Sequence, residues 1–289
     1  MQHQPLVVMT YPGHFLHTAL TMQSYFRHHE TVPVTIIADD LSDDCWPSYI
    51  KDCEDFYKHP IIPMSAILPT KSFRDGWTRQ QIAKLYLDQV LPYDTWFFTD
   101  GDIEYCFPAP TNAIPYAITR GGHTQILQNN YVSKLLGISK VGIKTDHPDM
   151  NWVSGTSYYQ VCVSNPPFRT MTAKTLQQLR IHVENLHNNT LEGMHRSGGI
   201  YRVGCKEDYD RYSVSEWELI ANFQINLLKE NVPLVYYPTA PPGTPATSQK
   251  YNFCITDFGS RTEYSRDWWN KQDVTVPDTI WNNLLKITR

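Results

Sequence analysis

The chain has 289 residues, of which 41% are hydrophobic, with a formal net charge of −4 and a pI of about 6.2. This length suits one large α/β domain or two small ones, and the acidic balance excludes a bulk electrostatic attraction to nucleic acid. No apolar run approaches the roughly 20 residues that a membrane span needs. Residues 1–5 carry no basic segment typical of a signal peptide, so we expect a cytoplasmic protein whose cysteines stay reduced.

The first forty residues predict a strand, a helix and a second strand. An apolar run at residues 6–9 is followed by turn chemistry at residues 10–13, which predicts a ligand-facing loop after the first strand. Apolar residues at helical spacing occupy residues 14–28, and a β-branched run follows at residues 34–38. This order predicts a right-handed βαβ unit. Because no Gly-x-Gly-x-x-Gly follows the first strand, a dinucleotide cofactor is not expected.

A carboxylate, Asp39, ends the second predicted strand. Carboxylates at this place bond a ribose hydroxyl in nucleotide-binding α/β folds. The alternative is that Asp39 caps the turn that follows it.

Two carboxylates end the aromatic run at residues 93–99. The run predicts a buried strand, because bulky flat side chains suit a covered, pleated surface. Asp100 and Asp102 follow at its carboxyl end, where side chains two apart in an extended backbone point to the same side. Together they predict a site for Mn²⁺ or Mg²⁺ that also touches phosphate oxygens. Gly101 lets the backbone turn tightly and approach a ligand. The alternative is an exposed turn.

A helix predicted over residues 78–87 comes directly before this strand. Gln81 and Lys84 are three residues apart on it, so one helical face presents an amide and an ammonium group. Lys84 is a candidate partner for a bound pyrophosphate. The alternative is an ordinary solvated charge on the helix surface.

Two further helices follow in the second half of the chain. Apolar spacing predicts a long amphipathic helix over residues 171–188. Another helix opens within residues 213–223 and carries Glu216, which is either a functional carboxylate or part of a capping box with Ser213.

These elements, in this order, resemble the nucleotide-sugar glycosyltransferases of the GT-A fold. The resemblance covers residues 5–240. Within this class the chain is similar to a little-characterised branch of bacteria and their viruses, a domain of unknown function. The Asp-x-Asp element is shared by many GT-A enzymes, whereas two narrower motifs point to the branch. They are Gln80-Gln81-x-x-Lys84-Leu85 and Ser215-Glu216-Trp217-Glu218-Leu219.

The resemblance implies an α/β fold with a GT-A-like, Rossmann-like mixed sheet flanked by helices. We expect a single catalytic domain over residues 1–240. Its nucleotide-binding half spans about 1–110, and its acceptor half spans about 111–240. An irregular extension over residues 241–289 is expected to pack on this domain.

The resemblance also implies a metal-dependent enzyme that moves a sugar from a nucleoside-diphosphate sugar, with a UDP-sugar favoured, to a hydroxyl acceptor. The acceptor is a glycan or a hydroxymethylated base in viral DNA, and a viral enzyme acts in the host cytoplasm. The implied nucleotide-binding residues are Thr10, Tyr11 and Asp39, with Gln81 and Lys84 supporting the donor. Asp100 and Asp102 would hold Mn²⁺ or Mg²⁺. Asp102 and Glu216 are the expected catalytic residues, the latter as a base or as an acceptor-positioning group.

A late histidine ligates the metal in many GT-A enzymes. This chain has no histidine after His195, so Asp257 or water would take that position.

Three alternatives stay open. A sugar-nucleotide pyrophosphorylase uses a similar sheet but expects a glycine-rich, basic N-terminal loop that residues 10–13 do not supply. A non-catalytic carbohydrate-binding protein would not depend on the paired carboxylates. A DNA acceptor would require a local basic surface and flipping of the target nucleotide. The residues available for that surface are Arg120, Lys134, Lys140, Lys144, Arg169 and Lys174.

Overall fold

The computed structural model describes eleven stretches of the chain. They are residues 4–69, 76–105, 116–118, 132–139, 143–144, 158–159, 168–196, 216–230, 234–236, 255–257 and 265–287.

The strands and helices of these stretches are numbered in chain order. The strands are β1 (Leu6–Thr10), β2 (Val34–Ala38), β3 (Ile61–Pro63), β4 (Thr95–Asp100), β5 (Ile103–Tyr105), β6 (Tyr116–Ile118), β7 (Ile143–Lys144), β8 (Tyr158–Tyr159), β9 (Phe168–Thr172), β10 (Leu234–Tyr236) and β11 (Ile255–Asp257). The helices are α1 (Phe15–Phe26), α2 (Tyr49–Tyr57), α3 (Gly76–Lys84), α4 (Ala173–His187), α5 (Leu191–Arg196), α6 (Glu216–Asn222), α7 (Arg266–Lys271) and α8 (Asp278–Ile287).

The main sheet has the strand order β3-β2-β1-β4-β9. Strands β3, β2, β1 and β4 run parallel, and β9 runs antiparallel beside β4. This mixed sheet, flanked by helices, confirms the predicted fold class. The chain leaves β1 towards β2 and β3 and returns to its other side with β4. The strand order therefore reverses between β1 and β4, and ligands of open α/β sheets bind at the carboxyl ends of strands at such a point.

Both faces of the sheet are covered by hydrophobic side chains. The aromatic strand β4 shows this directly, because Trp96 and Phe98 join one core cluster while Phe97 joins the other. The first cluster also holds residues of α3, α4 and α6, and the second holds residues of α1, α2, α7 and α8. A strand buried on both faces reads as a continuous apolar run, which is the pattern that predicted it.

The helix predicted from residue 171 begins two residues later than expected. Met171 and Thr172 belong to β9, where Met171 lies opposite Trp96 of β4. Thr172 has an extended backbone, and its side chain accepts a hydrogen bond from the backbone N–H of Thr175. Thr172 is therefore the N-cap of α4. The pairing with β4 decides the boundary, because helical spacing alone continues smoothly through these residues.

The C-terminal extension was expected to be irregular, but residues 265–287 contain α7 and α8. Ser265 caps α7 by accepting a hydrogen bond from the backbone N–H of Trp268. Trp269 is 1% exposed and packs edge-on against His17 of α1. This part of the extension completes the core on the α1 side of the sheet. Within the described residues, the structure has no helix with the length and apolarity needed to cross a bilayer.

Candidate functional site

A cavity of about 460 Å³ opens at the carboxyl ends of β1, β2 and β4. Its lining includes six residues that the sequence singled out: Tyr11, Asp39, Gln81, Lys84, Asp100 and Asp102. Two others lie just outside the lining. Thr10 is fully buried beneath the cavity, where its hydroxyl accepts a hydrogen bond from Thr18 Oγ1 at 2.7 Å, and Glu216 is 1% exposed behind Lys84.

Lys84 connects the strand-end carboxylate to α6. Its Nζ lies 2.9 Å from Asp100 Oδ1 and 2.7 Å from Glu216 Oε1. The same Nζ lies 5.2 Å from the ring centroids of Phe98 and of Trp217, a distance suited to cation–π attraction. Lys84 is 2% exposed. The alternative interpretation of Lys84 as a solvated charge is therefore wrong.

Burial and charge act in opposite directions on the pKa of Lys84. Burial lowers this pKa, but the nearby carboxylates of Asp100 and Glu216 outweigh burial and raise it above its ordinary value. Burial raises the pKa of Glu216, although the Lys84 ammonium opposes that shift. The Gln81 amide, turned so that its nitrogen faces the carboxylate, donates a hydrogen bond to Glu216. Lys84 therefore stays protonated and holds two carboxylates at once.

Asp39 follows directly after β2, which is separated from β4 by β1 in the sheet. Its Oδ1 accepts a hydrogen bond from the backbone N–H of Leu41 at 3.0 Å, so it does cap the following turn. Its Oδ2 lies 3.0 Å from Nη2 of Arg79, a buried residue of α3. Each oxygen keeps a second lone pair for a ligand hydroxyl. The sequence analysis did not single out Arg79, since an arginine on a helix most often indicates a solvated face.

His14 lines the cavity and is a further residue that the sequence analysis did not single out. Its Nε2 lies 2.7 Å from the hydroxyl of Tyr11, and its Nδ1 lies 3.6 Å from Asp102 Oδ2. Burial and then the neighbouring His17 lower the pKa of His14 to about 3, so its imidazole is neutral at physiological pH. The signal available in the sequence was its position directly after the predicted ligand-facing loop, at the first residue of the predicted helix.

The turn that carries the two carboxylates is attached closely to β1 and α1. A Cβ on Gly101 would lie 2.3 Å from Thr18 Oγ1 and 2.6 Å from the carbonyl oxygen of Met9. No side chain fits such a gap without a shift of the backbone. The glycine is therefore explained by close packing within the protein, whereas the sequence analysis had related it to the approach of a ligand.

Helix α1 also holds the strand that follows this turn. The backbone N–H groups of Ile103 and Tyr105 donate hydrogen bonds to Thr21 Oγ1 at 3.0 Å and to Ser24 Oγ at 2.9 Å. The other edge of β5 pairs with β11, in which Asp257 lies opposite Ile103. The register thus places the backbone of Asp257 one residue from Asp102 across the strand pair.

The described lining of the cavity carries more negative than positive charge. Among the residues that the structure describes, it holds four carboxylates, those of Asp39, Asp44, Asp100 and Asp102, and the ammonium group of Lys84. Asp39 is also paired with Arg79, and Lys84 with Glu216 outside the lining. A cavity with this excess of carboxylates attracts cations and repels an unaccompanied phosphate.

The two strand-end carboxylates fit a hard divalent cation. The side chains of Asp100 and Asp102 are 27% and 18% exposed, and both face the cavity. Among the residues that the structure describes, no three His, Cys, Asp or Glu side chains are arranged as a closed metal site. A cation that works on phosphates does not need such a cage, because one or two carboxylates, water and the substrate's own oxygens complete its coordination.

The basic surface that a DNA acceptor would need falls mostly outside the described side chains. Lys134 and Lys174 are described, and both are exposed. Arg120 and Lys140 lie outside the described residues, and for Lys144 and Arg169 only the strand backbone is described. Ser213, the proposed capping partner of Glu216, also lies outside them.

Comparisons with known proteins give structural matches only. No protein-family model matches the chain, and neither does any curated protein sequence. The galactosyltransferase LgtC, in complex with donor and acceptor sugar analogs, matches with 8% identity and a TM-score of 0.42, over 96% of this chain and 99% of that one. Mouse xyloside xylosyltransferase 1 matches with 11% identity and a TM-score of 0.33, over 68% of this chain and 81% of that one.

A third match belongs to a different class of enzyme. The inositol-1-phosphate CTP transferase of T. maritima has 8% identity and a TM-score of 0.37, over 100% of this chain and 98% of that one. All of these TM-scores lie below 0.5, so no argument rests on these similarities. The function proposed below therefore rests on the residues of the cavity.

Proposed function

We propose that the protein is a glycosyltransferase that moves a sugar from a nucleoside-diphosphate sugar, a UDP-sugar, to a hydroxyl acceptor with the help of Mn²⁺ or Mg²⁺. The observation that carries this proposal is that six of the predicted donor-binding and metal-binding residues line one cavity. They are Tyr11, Asp39, Gln81, Lys84, Asp100 and Asp102. The cavity volume of about 460 Å³ lies within the range of about 300–1,000 Å³ common for small-molecule sites.

The charge of the cavity supports the need for a divalent cation. A diphosphate that entered alone would meet the four carboxylates of the described lining, and the Lys84 ammonium group there is already paired with Asp100 and Glu216. Asp100 and Asp102 would hold the cation at the end of β4. When bound, such a cation acts as a Lewis acid and neutralises the charge of the departing diphosphate.

The proposed reaction exchanges one bond at the anomeric carbon for another. The bond from this carbon to the diphosphate oxygen breaks, and the nucleoside diphosphate leaves with the electron pair. The acceptor oxygen forms the new bond to the same carbon and loses its proton. Tyr11 and Asp39 would hold the nucleoside, with Asp39 accepting a hydrogen bond from a ribose hydroxyl.

The position of Glu216 supports a role in holding the site together. Its carboxylate is 1% exposed, bonds to Lys84, and lies outside the cavity lining. A general base must reach the proton it removes, directly or through one water molecule. We therefore propose that Glu216 acts through Lys84, which in turn positions Asp100. The proton of the acceptor then passes to the leaving diphosphate oxygen, which is itself a base.

The first experiment measures thermal stability with a panel of nucleotide sugars, each with and without Mn²⁺. A ligand that binds only the folded protein raises its melting temperature, so a hit identifies the donor and its metal dependence together. We expect a UDP-sugar to stabilise the protein only when Mn²⁺ is present. A panel in which no nucleotide sugar stabilises the protein would contradict the proposal.

The second experiment measures the hydrolysis of that donor by carboxylate variants. Asp100→Asn and Asp102→Asn keep the shape of the side chain but remove its charge, so we expect hydrolysis to fall by about 100-fold or more with the fold retained. Asp55→Asn, on the exposed face of α2, is the matched control and should behave as wild type. No hydrolysis by the wild type, with donor binding unchanged in all three variants, would favour a non-catalytic carbohydrate-binding protein.

Two further assays separate the remaining alternatives. Release of pyrophosphate from UTP and a sugar 1-phosphate would indicate a pyrophosphorylase. Binding to hydroxymethylated DNA that weakens steeply with salt would favour the DNA acceptor, because phosphate contacts release counterions. Transfer to an oligosaccharide without such binding would favour a glycan.

A further inference from the structure

The cavity contains a histidine beside one of the two carboxylates. His14 lies in the turn between β1 and α1, and its side chain is 12% exposed. Its Nδ1 faces Asp102 Oδ2, and both residues line the cavity. The glycosyl-transfer role proposed above gives Asp102 a function but assigns none to His14.

The distance between these two atoms is informative. Nδ1 and Oδ2 are 3.6 Å apart, beyond the range of about 2.7–3.2 Å for a hydrogen bond of this type. Two neighbouring ligand atoms at about 2.0–2.2 Å from one ion lie about 3 Å apart in octahedral geometry and about 3.3–3.6 Å apart in tetrahedral geometry. A closing movement of about half an ångström would therefore bring Nδ1 and Oδ2 to the spacing of neighbouring ligands of one octahedral ion.

The other nitrogen of the ring has the partner that a metal-bound histidine needs. His14 Nε2 lies 2.7 Å from the hydroxyl of Tyr11, and the two rings pack with their centroids 4.1 Å apart. When Nε2 carries the ring proton, it donates a hydrogen bond to the hydroxyl oxygen of Tyr11. Nδ1 is then unprotonated, and its lone pair is directed towards Asp102 and the cavity. Histidine ligands commonly have their second nitrogen held in this way, which sets the tautomer and the ring orientation.

We propose that His14 Nδ1 binds the same divalent cation as Asp102, and that this nitrogen makes the site prefer Mn²⁺ over Mg²⁺. The inference rests on the metal-dependent function proposed above. Mg²⁺ takes almost only oxygen ligands, whereas first-row transition metals accept imidazole nitrogen readily. Water and diphosphate oxygens would occupy the other positions.

The test measures Mn²⁺ binding to the full-length protein by electron paramagnetic resonance, in the presence of UDP. His14→Phe keeps a flat ring against Tyr11 but removes both nitrogens. We expect the Mn²⁺ affinity to fall by about tenfold or more, because mutations at metal sites commonly weaken metal binding by at least this factor. The Mg²⁺ affinity should change much less. His14→Gln is a second variant in case the larger ring disturbs folding. His59→Gln, a partly exposed histidine outside this cavity, is the control.

Pulsed measurements on the bound Mn²⁺ then detect a directly bonded nitrogen. The wild-type protein and His59→Gln should show the ¹⁴N coupling of an imidazole, and both His14 variants should lose it. A wild-type spectrum without ¹⁴N coupling, or coupling that persists in both His14 variants, would overturn the inference about His14. A wild-type protein that binds no Mn²⁺ with UDP would instead overturn the metal dependence itself, so the two failures are distinguishable.

Discussion

Lys84, the last residue of α3, places its ammonium nitrogen 2.9 Å from the carboxylate of Asp100 at the end of β4. The same nitrogen bonds to Glu216, which is 132 residues further along the chain. One buried cation therefore joins α3, β4 and α6. The carboxylate that we expect to hold a metal is positioned by this lysine, and the arrangement makes a clear prediction about stability.

Removal of the Lys84 charge should destabilise the fold. Lys84→Met keeps the unbranched stem but leaves the carboxylates of Asp100 and Glu216 without their cation. Removing one partner of a buried ion pair costs about 3–5 kcal/mol, so we expect the free energy of unfolding in urea to fall by about 3 kcal/mol or more. Lys174→Met, on an exposed position of α4, should change it by less than about 0.5 kcal/mol.

The combined variant tests the cause of that loss. In Lys84→Met/Glu216→Gln one of the two unpaired charges is also removed, so stability should partly return. A combined loss equal to the sum of the single losses would contradict the ion-pair explanation.

Replacement of Glu216 should distinguish a positioning residue from a general base. Glu216→Gln keeps the shape and an oxygen that can still accept from Lys84. We expect kcat to fall by less than about tenfold and the KM for the donor to rise, because Asp100 would be held less firmly. Removal of a general base instead lowers kcat by about 100- to 10,000-fold. A loss of that size with an unchanged donor KM would instead support a general base, which is one of the two roles that the resemblance implied for Glu216.

A methyl group on Gly101 should disturb the turn between the two carboxylates. Gly101→Ala would place its Cβ 2.6 Å from the carbonyl oxygen of Met9, so the backbone must move. Overpacking of this kind costs about 1–3 kcal/mol, which calorimetry or urea denaturation can measure. Gly76→Ala is the matched control, because its Cβ would make ordinary contacts at 3.5 Å and beyond. Equal stability of the two variants would contradict the close packing described here.

The hydroxyl groups of α1 should prove necessary for the strand that follows the turn. Thr21→Val has nearly the same shape but leaves the buried N–H of Ile103 without its acceptor. Such an unsatisfied group costs about 1–3 kcal/mol, and the Ile103 amide should exchange its hydrogen faster. Thr35→Val is the control, since the hydroxyl of Thr35 contacts that of Tyr93 and no backbone N–H depends on that contact. Unchanged exchange at Ile103 in Thr21→Val would contradict this role.

Two buried tyrosines should make the fold sensitive to alkali. Burial raises the pKa of Tyr25 and of Tyr86 from 10.0 to about 12. Between these values the unfolded chain loses the phenolic protons while the folded protein retains them. The unfolded state then binds fewer protons, so the free energy of unfolding must fall as the pH rises from about 10 to about 12. Urea titrations should show this slope, and Tyr25→Phe should make it shallower; an equal slope in the variant would contradict the assignment.

Much of the site was predictable because it depends on local order along the chain. The apolar runs of β1, β2 and β4 each end in polar residues, and parallel strands bring such ends to one edge of a sheet. The strand ends drew attention to Asp39, Asp100 and Asp102, the resemblance added Tyr11, and all four residues line the cavity. Trp96 and Phe97 are both buried but lie on opposite faces of the sheet, because successive side chains of a strand alternate in direction and both faces are covered.

Contacts between distant segments could be decided only by the tertiary structure. The strand at Phe168–Thr172 is defined by its pairing with β4, whereas the sequence assigned its last two residues, Met171 and Thr172, to the following helix. On a helix, Arg79 and Lys84 read as solvated charges until α6 and the end of β2 cover them. Whether a charged side chain is buried depends on which segments pack over it and which opposite charges they supply. That is a property of the folded chain, and it is why the sequence determined the edge of the sheet where the cavity lies, while the tertiary structure determined how its charges are paired.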